Sequence, residues 1–467
     1  MFTSKRYKVF FFLLFIAGNI LYAQKLSTFT EYGVTLHTGK YTPLWQNSNQ
    51  HGLSSIKNNT YIRGGAFYKD TIRSWKLEGG IDLAIAAGFT STFIVQQAYG
   101  DIRYKWIGLW IGSRELESPL LNQELSSGGL TWSGNARPIP QIAIGILDYV
   151  RIAPRVQVKA KLSYGWFTDN NYQQKHIGNG YSYTKNIKYH HKSFFFRFGK
   201  VKSHWLFDIG MSLDDQFGGY KVGGMDEGDL GNGWKDFFHA LLPRNGGDKA
   251  WYQGNYMGSE HLKLTYKHKT FSISGYLENY YDDFSGMGKK NGLDGLWGIE
   301  YKASQPQAIN GIVLEYYQTT NQSGPLHGPE NSIVHKTGGA DDYYNNTWYP
   351  GWVHWGMAMA NPLITSPIYN TNGYLGFLYN RIKAIHLGWA GNIATEWTYR
   401  AKLSFNRTWG TPFKPIPEIL ENFSTFAEFK YVPNKWRGWS FTGSAAFDIG
   451  DIYGDNLGFQ LKIHKSF

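Results

Sequence analysis

No cysteine occurs in the 467 residues. That excludes a disulfide framework, a thiolate nucleophile or metal ligand, and lipid attachment through a cysteine. Beyond the first two dozen residues there is also no apolar run long enough for a membrane-spanning helix, which needs about eighteen residues or more. The signatures of common enzymes are missing as well. There is no G-x-S-x-G elbow, no H-E-x-x-H helix and no G-x-x-x-x-G-K-S/T phosphate loop. Negative charge is the scarcer sign, with 35 Asp and Glu against 47 Lys and Arg. The formal charge of +12 drops by three, to +9, when Lys5, Arg6 and Lys8 are set aside. The basic residues are scattered with no run that would suit nucleic acid, whereas a positive balance suits an anionic polysaccharide or lipopolysaccharide. No cofactor motif is present, and no metal set stands out. His190 and His191 are adjacent, so on a regular strand they point to opposite faces and cannot share an ion. The acidic clusters Asp214-Asp215, Asp226-Glu227-Gly228-Asp229, Asp282-Asp283 and Asp341-Asp342 match no EF-hand spacing, which leaves solvated loop charge or a loop calcium site.

The opening residues have a different character. Lys5, Arg6 and Lys8 precede an apolar run from Val9 to Leu21, then Leu21-Tyr22-Ala23 with Gln24 next. This is the pattern of a secretory signal peptide over residues 1–23, leaving 24–467 as one domain without a linker.

Aromatic residues make up 17% of the chain, Gly contributes 55 residues, and mean hydropathy is only −0.40. Such a chain fits alternating strands better than apolar helices. Period-two alternation recurs throughout. Val156, Val158, Ala160, Leu162, Tyr164 and Trp166 share one face, against Gln157, Lys159, Lys161 and Ser163. Trp397, Tyr399, Ala401, Leu403 and Phe405 oppose Glu396, Thr398, Arg400, Lys402 and Ser404. Similar faces recur near 61–69, 75–86, 93–104, 262–268, 271–280 and 312–318. At the C-terminus, Leu457, Phe459, Leu461, Ile463 and Phe467 share a face that only Lys465 interrupts, near enough the end for its stem to snorkel. These segments predict an all-β fold: a transmembrane antiparallel β-barrel of about sixteen to eighteen strands in the bacterial outer membrane. Its last strand should pair with its first to remove the sheet edges. Tight turns at 266–269 and 432–435 alternate with long connections near 168–191, 214–259, 320–373 and 407–422. That asymmetry predicts short periplasmic turns and long extracellular loops, one of them carrying a helix over Trp234–Leu242 stopped by Pro243.

Two stretches could carry recognition. The loop before residue 360 concentrates Tyr343, Tyr344, Trp348, Tyr349, Trp352 and Trp355 beside Asp341, Asp342 and His354. Flat rings stack on sugar C–H faces while carboxylates and amides take hydroxyls, so these six are candidate carbohydrate-binding residues. The alternative is that they form girdle or loop core. The stretch Ser126–Gln141, SSGGLTWSGNARPIPQ, is rich in glycine and has Pro138 and Pro140 one residue apart, which forbids a regular ladder. Irregular backbone at barrel depth must be buried in protein or in a wet lumen. Arg137 would there meet lumen carboxylates or an anionic glycan.

The segment Gly128–Pro138, with Ser133, Asn135, Ala136, Arg137 and Pro138, resembles the S-x-N-A-R-P segment of the Wzi capsule assembly family. Gly351–Pro367, with Asn361, Pro362 and Leu363, is similar to a second signature of its Bacteroidetes-type members. The resemblance implies an eighteen-stranded outer-membrane barrel, occluded by loops, with a small helical element on the periplasmic side. It also implies a lectin-like role in anchoring or organising capsular polysaccharide, with no catalysis and no cofactor. Read from the residues alone, a porin or substrate-specific channel accounts for polar lumen faces equally well. From Gln24 the chain runs almost directly into a strand, which leaves no obvious segment for the periplasmic helical element.

Overall fold

The computed structural model describes residues 25–200, 203–241, 254–282, 284–324 and 340–467. The expected signal peptide, residues 1–23, lies outside them. So do Leu242 and Pro243, and much of two long connections.

Eighteen strands close into one antiparallel sheet. The first six are β1 (Leu26–Thr38), β2 (Asn59–Ile72), β3 (Trp75–Ala87), β4 (Phe93–Tyr104), β5 (Ile107–Ser113) and β6 (Gln141–Ala153). Next come β7 (Val156–Trp166), β8 (Lys188–Phe198), β9 (Trp205–Phe217), β10 (Asn255–Lys267), β11 (Phe271–Tyr281) and β12 (Gly295–Ala303). The last six are β13 (Gly311–Gln318), β14 (Ile382–Ala394), β15 (Trp397–Gly410), β16 (Pro415–Tyr431), β17 (Trp439–Gly450) and β18 (Asn456–Ser466). Each strand pairs with its successor, and β18 returns to β1 with Phe29 opposite Ser466 and Thr38 opposite Leu457. Closure leaves no edge, so the backbone is satisfied within the sheet, as a bilayer demands.

Alternation sorts the two faces. Ile62, Ile85, Leu264, Ile299, Leu314, Ile385 and Ile449 point outward and are 47–71% exposed, a surface suited to hydrocarbon rather than water. Paired rings girdle the short-turn end, with centroid distances of 4.7 Å for Trp75–Tyr104, 5.0 Å for Trp205–Tyr266 and 4.7 Å for Trp397–Tyr431. Charges face the lumen and pair across neighbouring strands, as in Arg197–Asp208 at 2.7 Å and Arg400–Glu428 at 2.9 Å, or over an intervening strand, as in Lys263–Glu300 at 2.7 Å. Lys465 faces outward near the periplasmic rim, and its ammonium reaches the Arg437 carbonyl at 2.7 Å. The expected snorkelling geometry is therefore present.

The connections also sort by end. One end carries only short turns, such as 73–74, 105–106, 154–155 and 395–396. The other carries 39–58, 114–140, 167–187, 218–254 and 319–381. This is the asymmetry of outer-membrane barrels, with the long connections extracellular. One expected loop is corrected. Residues 407–422 are mostly strand, because β15 and β16 form a tall hairpin closed by 411–414. Pro415 and Pro417 lie at the start of β16. The register slips there, with Gly410 opposite Pro415 but Thr408 opposite Leu420, and the bulge accommodates the missing N–H groups.

The α-helices of the described residues are α1 (Leu44–Asn47), α2 (Asn170–His176), α3 (Trp234–Leu241) and α4 (Phe284–Met287), and a 3-10 turn spans Pro367–Tyr369, all in long-end connections. The resemblance implied a periplasmic helical element. Among the described residues none lies at the short-turn end.

Candidate functional site

The lumen holds three connections folded inward from the extracellular end: 39–58, 114–140 and the described part of 319–381. Their apolar side chains merge into one buried cluster that includes Leu44, Trp45, Leu130, Ile139, Trp352, Met359, Leu363 and Ile364. The wall holds this plug through polar groups. On β13, the buried Glu315 carboxylate accepts from Ser126 Oγ at 2.6 Å, Ser127 N at 2.8 Å and Tyr276 Oη at 2.6 Å. On β11, Glu278 accepts from the Leu130 N–H at 2.9 Å. Further round the wall, Asp448 on β17 accepts from Leu44 N at 2.9 Å, and Trp45 Nε1 donates to Ser404 Oγ on β15 at 3.0 Å.

The two motif segments interlock at the centre. Ser133 Oγ donates to the Ala360 carbonyl at 2.7 Å, and its N–H to the Met359 carbonyl at 2.8 Å. Asn135 Nδ2 donates to the Ala358 carbonyl at 2.9 Å. In return, Asn361 Nδ2 donates to the Gly128 carbonyl at 2.6 Å and to Ser127 Oγ at 2.9 Å, and its Oδ1 accepts from Leu363 N at 3.0 Å. Trp352 Nε1 closes the set on the Thr131 carbonyl at 2.6 Å. Irregular backbone is thereby satisfied without a ladder. Gly128 sits at φ +119°, where a Cβ would lie 2.9 Å from that of Ser133. Ala136, Pro138 and Pro362 are buried in the same packing. All eight motif residues thus belong to the plug.

Two partners are expected for Arg137, a lumen carboxylate or an anionic glycan. Among the described residues it makes no ion pair with a lumen carboxylate. Its guanidinium lies 4.3 Å from the Trp355 ring centroid and donates to Thr90 Oγ1 at 2.9 Å and Ser91 Oγ at 3.2 Å. Burial pulls its pKa down to about 10. Two hydroxyls and an aromatic face solvate the cation in place of a carboxylate.

The six candidate stacking rings divide. Tyr343, Tyr344, Tyr349 and Trp352 are all 5% exposed or less and belong to the luminal cluster, so in this arrangement their faces meet protein. Trp348 and Trp355 are partly open. Each carries a cation on one face, with Lys221 Nζ 4.5 Å above Trp348 and Arg137 over Trp355. Sequence alone could not separate the two groups, because period and composition are the same for core and surface rings in a loop.

His190 and His191 point to opposite sides as the strand geometry requires. His190 packs against Tyr164 with ring centroids 4.3 Å apart, while His191 Nδ1 meets Asp214 Oδ1 at 2.9 Å in the lumen. Among the described residues no group of three or more His, Cys, Asp or Glu is placed to hold a metal ion.

Beneath the plug, two cavities flank the segment 114–123. One, of about 380 Å³, is bounded by Asn49, His51, Tyr99 and Glu115. The other, of about 560 Å³, lies toward the periplasmic mouth between this segment and the wall from β4 to β8. Its lining includes Lys159, Lys161, Arg197, Trp132 and Tyr149. A bulge in β6 between Ile146 and Val150 turns Asp148 and Tyr149 inward. Sequence reading placed the two lysines on the polar face of β7 but could not show that they share a cavity with Trp132.

These features define the class: an eighteen-stranded outer-membrane β-barrel whose extracellular half is filled by its own loops. No family model matches the sequence, and no curated protein sequence matches it. Solved structures do resemble it in fold. One is Wzi from Escherichia coli, described as an outer-membrane protein involved in group 1 capsule assembly and a carbohydrate-binding β-barrel. Its TM-score is 0.58 at 12% identity, over 97% of this chain and 87% of that one. OccK5 of Pseudomonas aeruginosa gives a TM-score of 0.49 at 9% identity, over 95% of this chain and 97% of that one. The outer membrane protein OprD from Pseudomonas aeruginosa gives 0.48 at 11%, over 95% and 93%.

Proposed function

We propose that this protein is a non-enzymatic member of the Wzi capsule assembly type, which binds surface polysaccharide of the capsular kind and helps to anchor or assemble it. The observation that carries the reading is the interlock of Ser133 and Asn135 with the 358–361 backbone and of Asn361 with Gly128. A lumen built to be filled suits a binding barrel better than an open pore. The loop rings left partly open, Trp348 and Trp355, supply weak stacking contacts, and scattered Lys and Arg meet acidic sugars. A long polymer touching many copies is then held by avidity. Lipopolysaccharide and outer-membrane lipid surround the barrel, and residues 1–23 serve as the export signal.

Deleting the gene should leave polymer synthesis intact and release polymer into the medium. Unchanged cell-bound capsule in the deletion strain refutes the reading. A substrate-specific channel is the second reading, favoured by the polar lumen and its two cavities. Steady currents in planar bilayers would support the channel, and silence the binding barrel.

A further inference from the structure

We infer that the cavity of about 560 Å³ beneath the plug is a binding site for a short saccharide bearing carboxylates, entered from the periplasmic mouth. The inference rests on the polysaccharide-binding reading and adds to it a location and a charge class.

Access comes first. Asp148 lies on the wall a few residues from the turn at 154–155, and its side chain is 56% exposed, so that end of the cavity meets water. The inner end is closed by Trp132 of the plug. The volume lies within the roughly 300–1,000 Å³ of small-molecule sites. It suits a few sugar rings rather than a polymer.

Charge comes second. Arg197 is held by Asp208 at 2.7 Å, and Arg114 by Asp101 at 3.0 Å, so these guanidinium groups are already neutralised and fixed. Lys159 and Lys161 are different. They stand two apart on the lumen face of β7, and neither makes an ion pair or hydrogen bond among the described residues. Asp148 and Glu117 act on Lys159 through space, and Asp214 on Lys161, which tempers the field, but none of the three forms a salt bridge or hydrogen bond with either lysine. Two unpaired ammonium groups in a confined space, screened less than at an open surface, favour a carboxylate-bearing occupant.

The rings come third. Tyr149 is locked by its hydroxyl on Asp208 at 3.0 Å and by Arg197 at 4.1 Å over its ring. Trp132 is seated against Tyr189 at a centroid distance of 6.1 Å. Two fixed aromatic surfaces beside two free cations match a sugar with an apolar C–H face and an acidic group, rather than a bare inorganic anion.

The test uses the purified full-length protein in detergent, with trigalacturonate and the neutral maltotriose as probes in calorimetric titration. The variants are Lys159→Gln/Lys161→Gln and Lys159→Arg/Lys161→Arg, each checked for barrel closure by heat-modifiable gel mobility. Trigalacturonate should bind the native protein and weaken as salt rises. It should lose about tenfold or more in affinity in the Gln pair and keep it in the Arg pair. Absent binding, equal affinity for maltotriose, or an unchanged affinity in the Gln pair overturns the inference. The polysaccharide reading fails by a separate result, the unchanged capsule retention of the deletion strain.

Discussion

Replacing Asn361 with alanine should loosen the plug while leaving the barrel closed. Asn361 is fully buried and makes three hydrogen bonds, to the Gly128 carbonyl at 2.6 Å, Ser127 Oγ at 2.9 Å and Leu363 N at 3.0 Å. Ser127 Oγ keeps Glu315 as a partner, so truncation orphans two groups, the Gly128 carbonyl and the Leu363 N–H. Each buried orphan costs about 1–3 kcal/mol, and both recover water when the plug opens. A loss of roughly 3 kcal/mol shifts the opening equilibrium about a hundredfold. The other ties, from Ser133, Asn135 and Trp352, remain and keep the plug seated on average. Hydrogen–deuterium exchange reads this directly, because the Ser133 N–H donates across the interlock to the Met359 carbonyl at 2.8 Å. Its exchange should accelerate about a hundredfold while strand amides in β15 and β16 hold. Unchanged protection at Ser133 would refute the interlock. Loss of protection throughout the strands would show that Asn361 supports the barrel rather than the plug.

Three further outcomes follow from the same packing. Trp352→Phe leaves the Thr131 carbonyl without its donor at 2.6 Å, so it should cost about 1–3 kcal/mol of plug stability, measured by local exchange or limited proteolysis. Gly458→Ala places a Cβ 2.6 Å from Pro43 Cδ and 2.2 Å from Gln46 Oε1, and should displace the α1 segment from the wall at a cost of about 1–3 kcal/mol, seen as new protease sensitivity near residues 43–47. Burial holds the His354 imidazole below its usual pKa, with Nδ1 donating to the Arg137 carbonyl at 2.9 Å and Nε2 accepting from Thr168 N at 3.2 Å. Below about pH 6.5 the opened plug takes up a proton that the seated plug refuses. Stability present above that pH should therefore fall as pH falls, by up to about 1.4 kcal/mol per unit, and His354→Gln should flatten the dependence in exchange measured between pH 7 and 5.

Alternation alone made the barrel legible. A strand sends successive side chains to opposite faces whatever surrounds it, so Leu457–Phe467 or Val156–Trp166 declares an apolar and a polar face before any partner is known. Closure then follows, because a bilayer tolerates no unpaired edge. Even the misread 407–422 failed locally, at a hairpin tip where the register slips. The contents of the lumen were another matter. Gly128 and Asn361 meet across more than two hundred residues, and nothing in either stretch names the other. The same tertiary arrangement buried Tyr343, Tyr344, Tyr349 and Trp352 while leaving Trp348 and Trp355 partly open. It also gave Arg137 hydroxyls and a ring in place of a carboxylate. The sequence by itself determined the wall, because the wall's pattern is a property of each strand's own backbone. Only the tertiary structure decided which loops turn inward and which cations are left unpaired, because those outcomes depend on how distant segments fill a space that no single segment defines.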